Sequence, residues 1–77
     1  MKLSNFIEGI QLLRPYYEDQ DGYHVAAEHD QFYMYPTDKP LPPEAVEQLV
    51  KLGWFQPECD FKKPEDYKPS EGWSAFT

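Results

Sequence analysis

Eight prolines in 77 residues set the limits of every regular element in this chain. Proline has no amide hydrogen, fixes its own φ and pushes the residue before it out of the helical region. Pro15, the group Pro36, Pro40, Pro42 and Pro43, and then Pro57, Pro64 and Pro69 leave room only for short helices, hairpins and loops.

Before the first proline, residues 4–13 read as a helix. Leu3, Phe6, Ile7, Ile10 and Leu13 form one stripe at helical spacing. Ser4 suits the N-cap, and Pro15 stops the helix just beyond Arg14. Gly9 is the weak point, since glycine inside a helix costs about 1 kcal/mol against alanine.

Residues 16–22 carry Glu18, Asp19 and Asp21 and end in an Asp-Gly turn signal, which reads as a solvated loop. Residues 23–28 alternate, with Tyr23, Val25 and Ala27 on one side and His24, Ala26 and Glu28 on the other. Residues 31–35 read as a second strand, Phe32 and Met34 on one face, Tyr33 and Tyr35 on the opposite one. His29 and Asp30 make the tight turn between them, with the Asp30 carboxylate expected to bond turn amides.

Residues 36–42 are a proline loop. Pro43 then suits a first helical position, Glu44 favours the helix N-terminus, and Ala45, Val46, Leu49 and Val50 form an apolar stripe. Gly53 closes this helix as its C-cap, after Lys51 in the last turn. Trp54-Phe55 begins a third strand and residues 73–77 form a fourth. Residues 56–72 make a long connection between them. The expected fold is α+β, one domain over residues 1–77 with an N-terminal helix in 1–15. Its order is α-β-β-α-β-β, a four-stranded antiparallel sheet with both helices on one face.

A chain this short buries roughly 60% of its unfolded surface, enough for one thin core. Two Trp, six Tyr and five Phe supply large area per residue, so Trp54 and Trp73 read as core.

Fourteen carboxylates face seven Lys and Arg, a net charge of −7. Nucleic acid binding needs cations against phosphates, so direct contact with DNA or RNA is disfavoured, and so is an anionic membrane. A basic protein surface is attracted instead. The N-terminal residues lack a cationic start followed by an apolar run, and no stretch approaches the roughly 20 apolar residues that span a bilayer. Cys59 is the one cysteine, so no internal disulfide forms, and a reducing cytoplasm is the expected compartment.

Chemistry is sparse. Glu28, His29 and Asp30, with His24 and Cys59, are the densest set of functional groups. They match no zinc spacing, there being one Cys and no His-x-x-x-His. Glu58 and Asp60 flank Cys59 and would suppress its thiolate. There is no glycine-rich phosphate loop and no Gly-x-Ser-x-Gly. The expectation is a non-catalytic protein with no cofactor and no metal. The alternatives are an oligomer-forming protein, paired through the Tyr33 and Tyr35 face or an edge strand, and a metal- or ligand-binding domain centred on His29 and Asp30.

Three segments carry a resemblance: Ala27-Glu28-His29-Asp30 before an aromatic strand, Leu49-Val50-Lys51-Leu52-Gly53-Trp54 at a helix end, and Trp73-Ser74-Ala75-Phe76. Over residues 22–77 the chain resembles small uncharacterised proteins encoded by bacteriophages and prophages. The loop from Gln56 to Gly72 is expanded relative to them. The resemblance implies no chemistry. By analogy with acidic anti-CRISPR and anti-restriction proteins of similar size, it implies an inhibitor of a basic, nucleic-acid-binding host protein, in the extreme a DNA mimic. The residues expected to meet such a partner are Glu18, Asp19, Asp21, Tyr33, Tyr35, Glu44 and Glu47.

Overall fold

A computed structural model of the chain describes residues 1–76. The elements run α1 (Leu3–Leu13), β1 (Val25–Glu28), β2 (Gln31–Met34), α2 (Pro43–Leu52) and β3 (Trp73–Phe76), with single 3₁₀ turns at Arg14–Tyr16 and Pro64–Asp66. The fold is α+β. Among the described residues its sheet has three antiparallel strands in the order β1-β2-β3, not four.

The missing strand has a local cause. Phe55 makes one antiparallel bridge to Ser74, giving and taking a backbone hydrogen bond at 3.0 and 2.7 Å. Gln56 then turns into the core, 1% exposed, and Pro57 has no amide hydrogen to continue a ladder. At the far end of β3, Thr77 lies outside the described residues.

The hairpin between β1 and β2 pairs Glu28 with Gln31 and Val25 with Met34. His29 adopts φ 55, the left-handed conformation that such a two-residue turn requires. Asp30, expected to bond turn amides, makes no side-chain hydrogen bond among the described residues; the conformation of His29 closes the turn instead. Tyr23 precedes the strand and is 95% exposed.

α2 forms as its sequence dictates. Pro43 stands in the first turn, and Gly53 takes φ 97. The amides of Gly53 and Trp54 bond the carbonyls of Val50 and Leu49, the paired closure of a Schellman motif. Ala45, Val46, Leu49 and Leu52 are buried.

α1 starts one residue before the expected Ser4 cap. Lys2 occupies the cap position without a side-chain bond, and its carbonyl accepts the Phe6 amide at 3.0 Å. The buried face is also rotated from the expected stripe. Leu13, Gly9, Phe6, Ile10 and Leu12 pack inward, while Leu3 and Ile7 are exposed. Gly9 is the reason. The Trp54 indole lies directly on it, at a place where any Cβ would collide with the ring. The indole Nε1 donates to the Asn5 carbonyl at 3.3 Å.

One cluster unites both helices with one face of the sheet: Leu13, Val46, Leu49, Trp54, Met34, Trp73 and Ala75. Phe6 meets Phe32 edge-on at 4.9 Å and stacks on Trp54 at 5.9 Å. Each buried indole removes about 200 Å² from water, worth about 5 kcal/mol by area, so Trp54 and Trp73 dominate this small core.

Residues 56–72 are packed rather than splayed. The radius of gyration is 11.3 Å, against about 11.5 Å for a compact chain of this length. Phe61 and Tyr67 lie on Trp73, at 5.4 and 6.0 Å. The Gln56 amide is the clamp. Its Nε2 donates to the carbonyls of Lys68 (2.9 Å) and Glu71 (3.2 Å), and its Oε1 accepts the Lys68 amide (2.9 Å). Farther out, the Asp66 carboxylate accepts the amides of Lys62 and Lys63 at 2.9 and 3.2 Å.

Candidate functional site

At the end of the sheet where Met34 pairs with Trp73, β2 runs out through Tyr35 and Pro36 and β3 enters from Gly72. The two backbones touch there, since a Cβ at Gly72 would collide with the Met34 carbonyl. The Phe55–Ser74 bridge is antiparallel, so Pro57 and Glu58 run past Gly72 and Glu71. Together these segments form a groove of about 290 Å³ whose walls include Tyr33, Tyr35, Pro36, Pro57, Glu58 and Glu71.

The Tyr35 backbone is held from two sides. Its amide donates to the His24 carbonyl at 2.9 Å, and its carbonyl accepts the Tyr17 hydroxyl. Burial, reinforced by the Asp38 carboxylate, pushes the Tyr17 phenol up to about 12. The same group in the unfolded chain titrates near 10. Between about pH 10 and 12 the unfolded chain gives up this proton while the folded chain keeps it, so stability falls across that window. Urea unfolding at about pH 9 and about pH 11.5 is expected to show the loss, and Tyr17→Phe to remove that part of it.

Two further depressions flank the core. One, of about 390 Å³, lies between α2 and the long connection, lined by Leu41, Pro43, Val46, Glu47, Pro64, Glu65 and Tyr67. Its tyrosine is already committed: the Tyr67 hydroxyl accepts the Leu41 amide at 2.9 Å and the ring stacks on Trp73. The other, of about 300 Å³, lies between α1 and β1 and includes Ile10, Arg14, Gln20, His24 and Val25.

The residues singled out in the sequence do not converge on one point. Tyr33 and Tyr35 share the sheet-end groove. Glu47 lines the depression beside α2, with Glu44 exposed in the first turn of the same helix. Glu18, Asp19 and Asp21 occupy the loop after α1. Asp19 has a structural duty there, its carboxylate accepting the Asp21 amide at 3.0 Å. The Glu18 amide donates to the Asp38 carboxylate at 2.7 Å, and Glu18 and Asp21 are both exposed. Glu58 and Glu71, which complete the groove, stand 13 positions apart, and the Phe55–Ser74 bridge together with the Gln56 clamp brings them to one place.

Among the described residues, no three His, Cys, Asp or Glu side chains converge as a metal site would require. The His24 ring lies on Tyr17 at 4.5 Å, and its Nε2–H donates to the Asp19 carbonyl. Desolvation raises the Cys59 thiol above its ordinary value; Lys68 opposes, while Glu71, Asp66 and Asp60 add to the rise. That favours the thiol over the reactive thiolate. Among the described residues, no helix is long and apolar enough to cross a membrane. Comparison with protein-family models, curated proteins and solved structures finds no match to this chain.

Proposed function

We propose that this is a non-catalytic acidic binding protein whose partner is a basic, nucleic-acid-binding protein, which it inhibits or modulates by occupying a cationic surface. The phage-type resemblance adds a setting for that reading: an accessory protein acting in the cytoplasm of a bacterial host. The observation that carries it is the lack of internal neutralisation. Fourteen carboxylates stand against seven Lys and Arg, yet Lys62 and Asp60, 3.8 Å apart, form the single ion pair among the described residues. The protein's own cations are not arranged to quench its field, so the field is available to a partner.

Tagged protein incubated with bacterial lysate is expected to capture a basic partner at low salt and release it at high salt, because screening shortens the reach of surface charge. DNA added to the complex is expected to compete. Capture that high salt leaves untouched contradicts an electrostatic interface.

The outer edge of β1 supports a second reading, self-association. Its backbone groups on that side have no strand partner among the described residues, and Val25 beside them is 54% exposed. Light scattering at high concentration decides it: a strict monomer removes this reading.

A further inference from the structure

Resting on the proposed function, we infer that the sheet-end groove is the place where an arginine side chain of the basic partner is received. Its walls and its charge match that side chain in kind. Tyr33, Tyr35, Pro36 and Pro57 offer rings and apolar surface for the aliphatic stem and for the flat face of a guanidinium. Glu58 and Glu71 also line it, placing two acidic residues beside these rings, and a carboxylate is the group that a guanidinium bonds in a paired, planar fashion. Neither carboxylate forms an ion pair among the described residues; Lys68, three positions before Glu71, makes none with it. At about 290 Å³ the groove sits at the small end of ligand clefts, which begin near about 300 Å³, and so suits one side chain rather than a larger ligand.

The groove is also prepared in advance. Tyr35 is tied at both its amide and its carbonyl. The Gln56 side chain holds the Glu71 carbonyl, and the backbones of Gly72 and Met34 lie in contact. Little ordering remains to be done on binding, which favours affinity. The depression beside α2 has a similar composition, with Glu47, Glu65 and Tyr67. Its tyrosine, however, is spent on the Leu41 amide and on Trp73. Tyr35, by contrast, is 52% exposed. Arginine is favoured over lysine because its cation is planar and stacks on rings, whereas an ammonium is a compact, strongly hydrated charge.

The test titrates the full ¹⁵N-labelled chain with a capped Gly-Arg-Gly peptide and with its lysine and citrulline counterparts, the last isosteric with arginine but uncharged. The expected result is a set of amide shifts centred on Tyr33, Tyr35, Glu58 and Gly72. The arginine peptide is expected to bind at least about threefold tighter than lysine and about tenfold tighter than citrulline. Tyr35→Ala and Glu58→Gln, both at exposed positions, are each expected to weaken it at least about threefold with an unchanged circular dichroism spectrum. Equal binding of citrulline, shifts centred instead on Glu47, Glu65 and Tyr67, or indifference to both variants overturns the assignment. Salt-sensitive capture of a basic partner alongside a silent groove overturns the groove alone. Absence of any captured partner overturns the proposed function, and the peptide titration still decides the groove.

Discussion

Gly9→Ala is expected to destabilise the protein by about 3 kcal/mol, although in an isolated helix the same change stabilises by about 1 kcal/mol. The two expectations differ in sign, which makes the substitution informative. The added methyl would occupy the space of the Trp54 indole. Trp54 is 2% exposed and is stacked on Phe6, with Phe32 edge-on to it, so it has nowhere to retreat without opening the core. Overpacking of this kind costs about 1–3 kcal/mol, and loss of the indole bond to Asn5 adds about 1 kcal/mol. In a domain this small the midpoint of thermal unfolding should drop by more than about 10 °C. Gln11→Ala, on the exposed side of the same helix, should leave it nearly unchanged. A more stable Gly9→Ala variant would mean that the indole does not rest on the helix backbone.

Gln56→Leu is the second large effect, again expected near 3 kcal/mol of lost stability. Leucine fills similar space, so the loss is one of hydrogen bonds rather than of volume. Two carbonyls, of Lys68 and Glu71, and the Lys68 amide would be left without their partner. Each unpaired group away from water costs about 1–3 kcal/mol, reduced where the loop can open to solvent. That opening is itself observable. Residues 57–70 should become sensitive to protease under conditions where the wild-type chain resists, and the Lys68 amide should exchange faster. Gln56→Glu is expected to do similar harm, since its carboxylate would face the same two carbonyls. Stability within about 0.5 kcal/mol of wild type in Gln56→Leu would show that the long connection is held by other contacts.

These two side chains also mark the limit of what could be read from sequence. α2 was legible because its signals are local: Pro43 at the start, an apolar stripe, and Gly53 in the left-handed conformation at the end. The hairpin at His29 and Asp30 was legible for the same reason, although the conformation of His29, not the Asp30 carboxylate, makes the turn. The face of α1 is legible only in part: Phe6, Ile10 and Leu13 pack inward as their spacing implies, but Leu3 and Ile7 do not, because the buried face is set by Trp54, 45 positions from Gly9, and a glycine that looks like a defect in the helix is the seat for an indole. The third strand failed because Gln56 leaves the ladder to clamp residues 68 and 71, a duty that no periodicity reveals. The same clamp, with the Phe55–Ser74 bridge, sets Glu58 and Glu71 beside Tyr33 and Tyr35. Half of the groove was therefore visible as aromatic residues on one strand, and its acidic half was not.

Affinity for the captured partner, measured by calorimetry at low salt, bears most directly on whether the acidic surface binds. Two double variants are compared with the wild-type chain: Glu18→Lys with Asp21→Lys, and Glu44→Lys with Glu47→Lys. Asp19 is left in place because its carboxylate holds the loop. At least about tenfold weaker binding by one of the two variants is expected, since each reverses two charges that steer the encounter. Unchanged affinity in both, with the fold intact, would contradict an electrostatic interface and leave the net charge as a property of solubility alone.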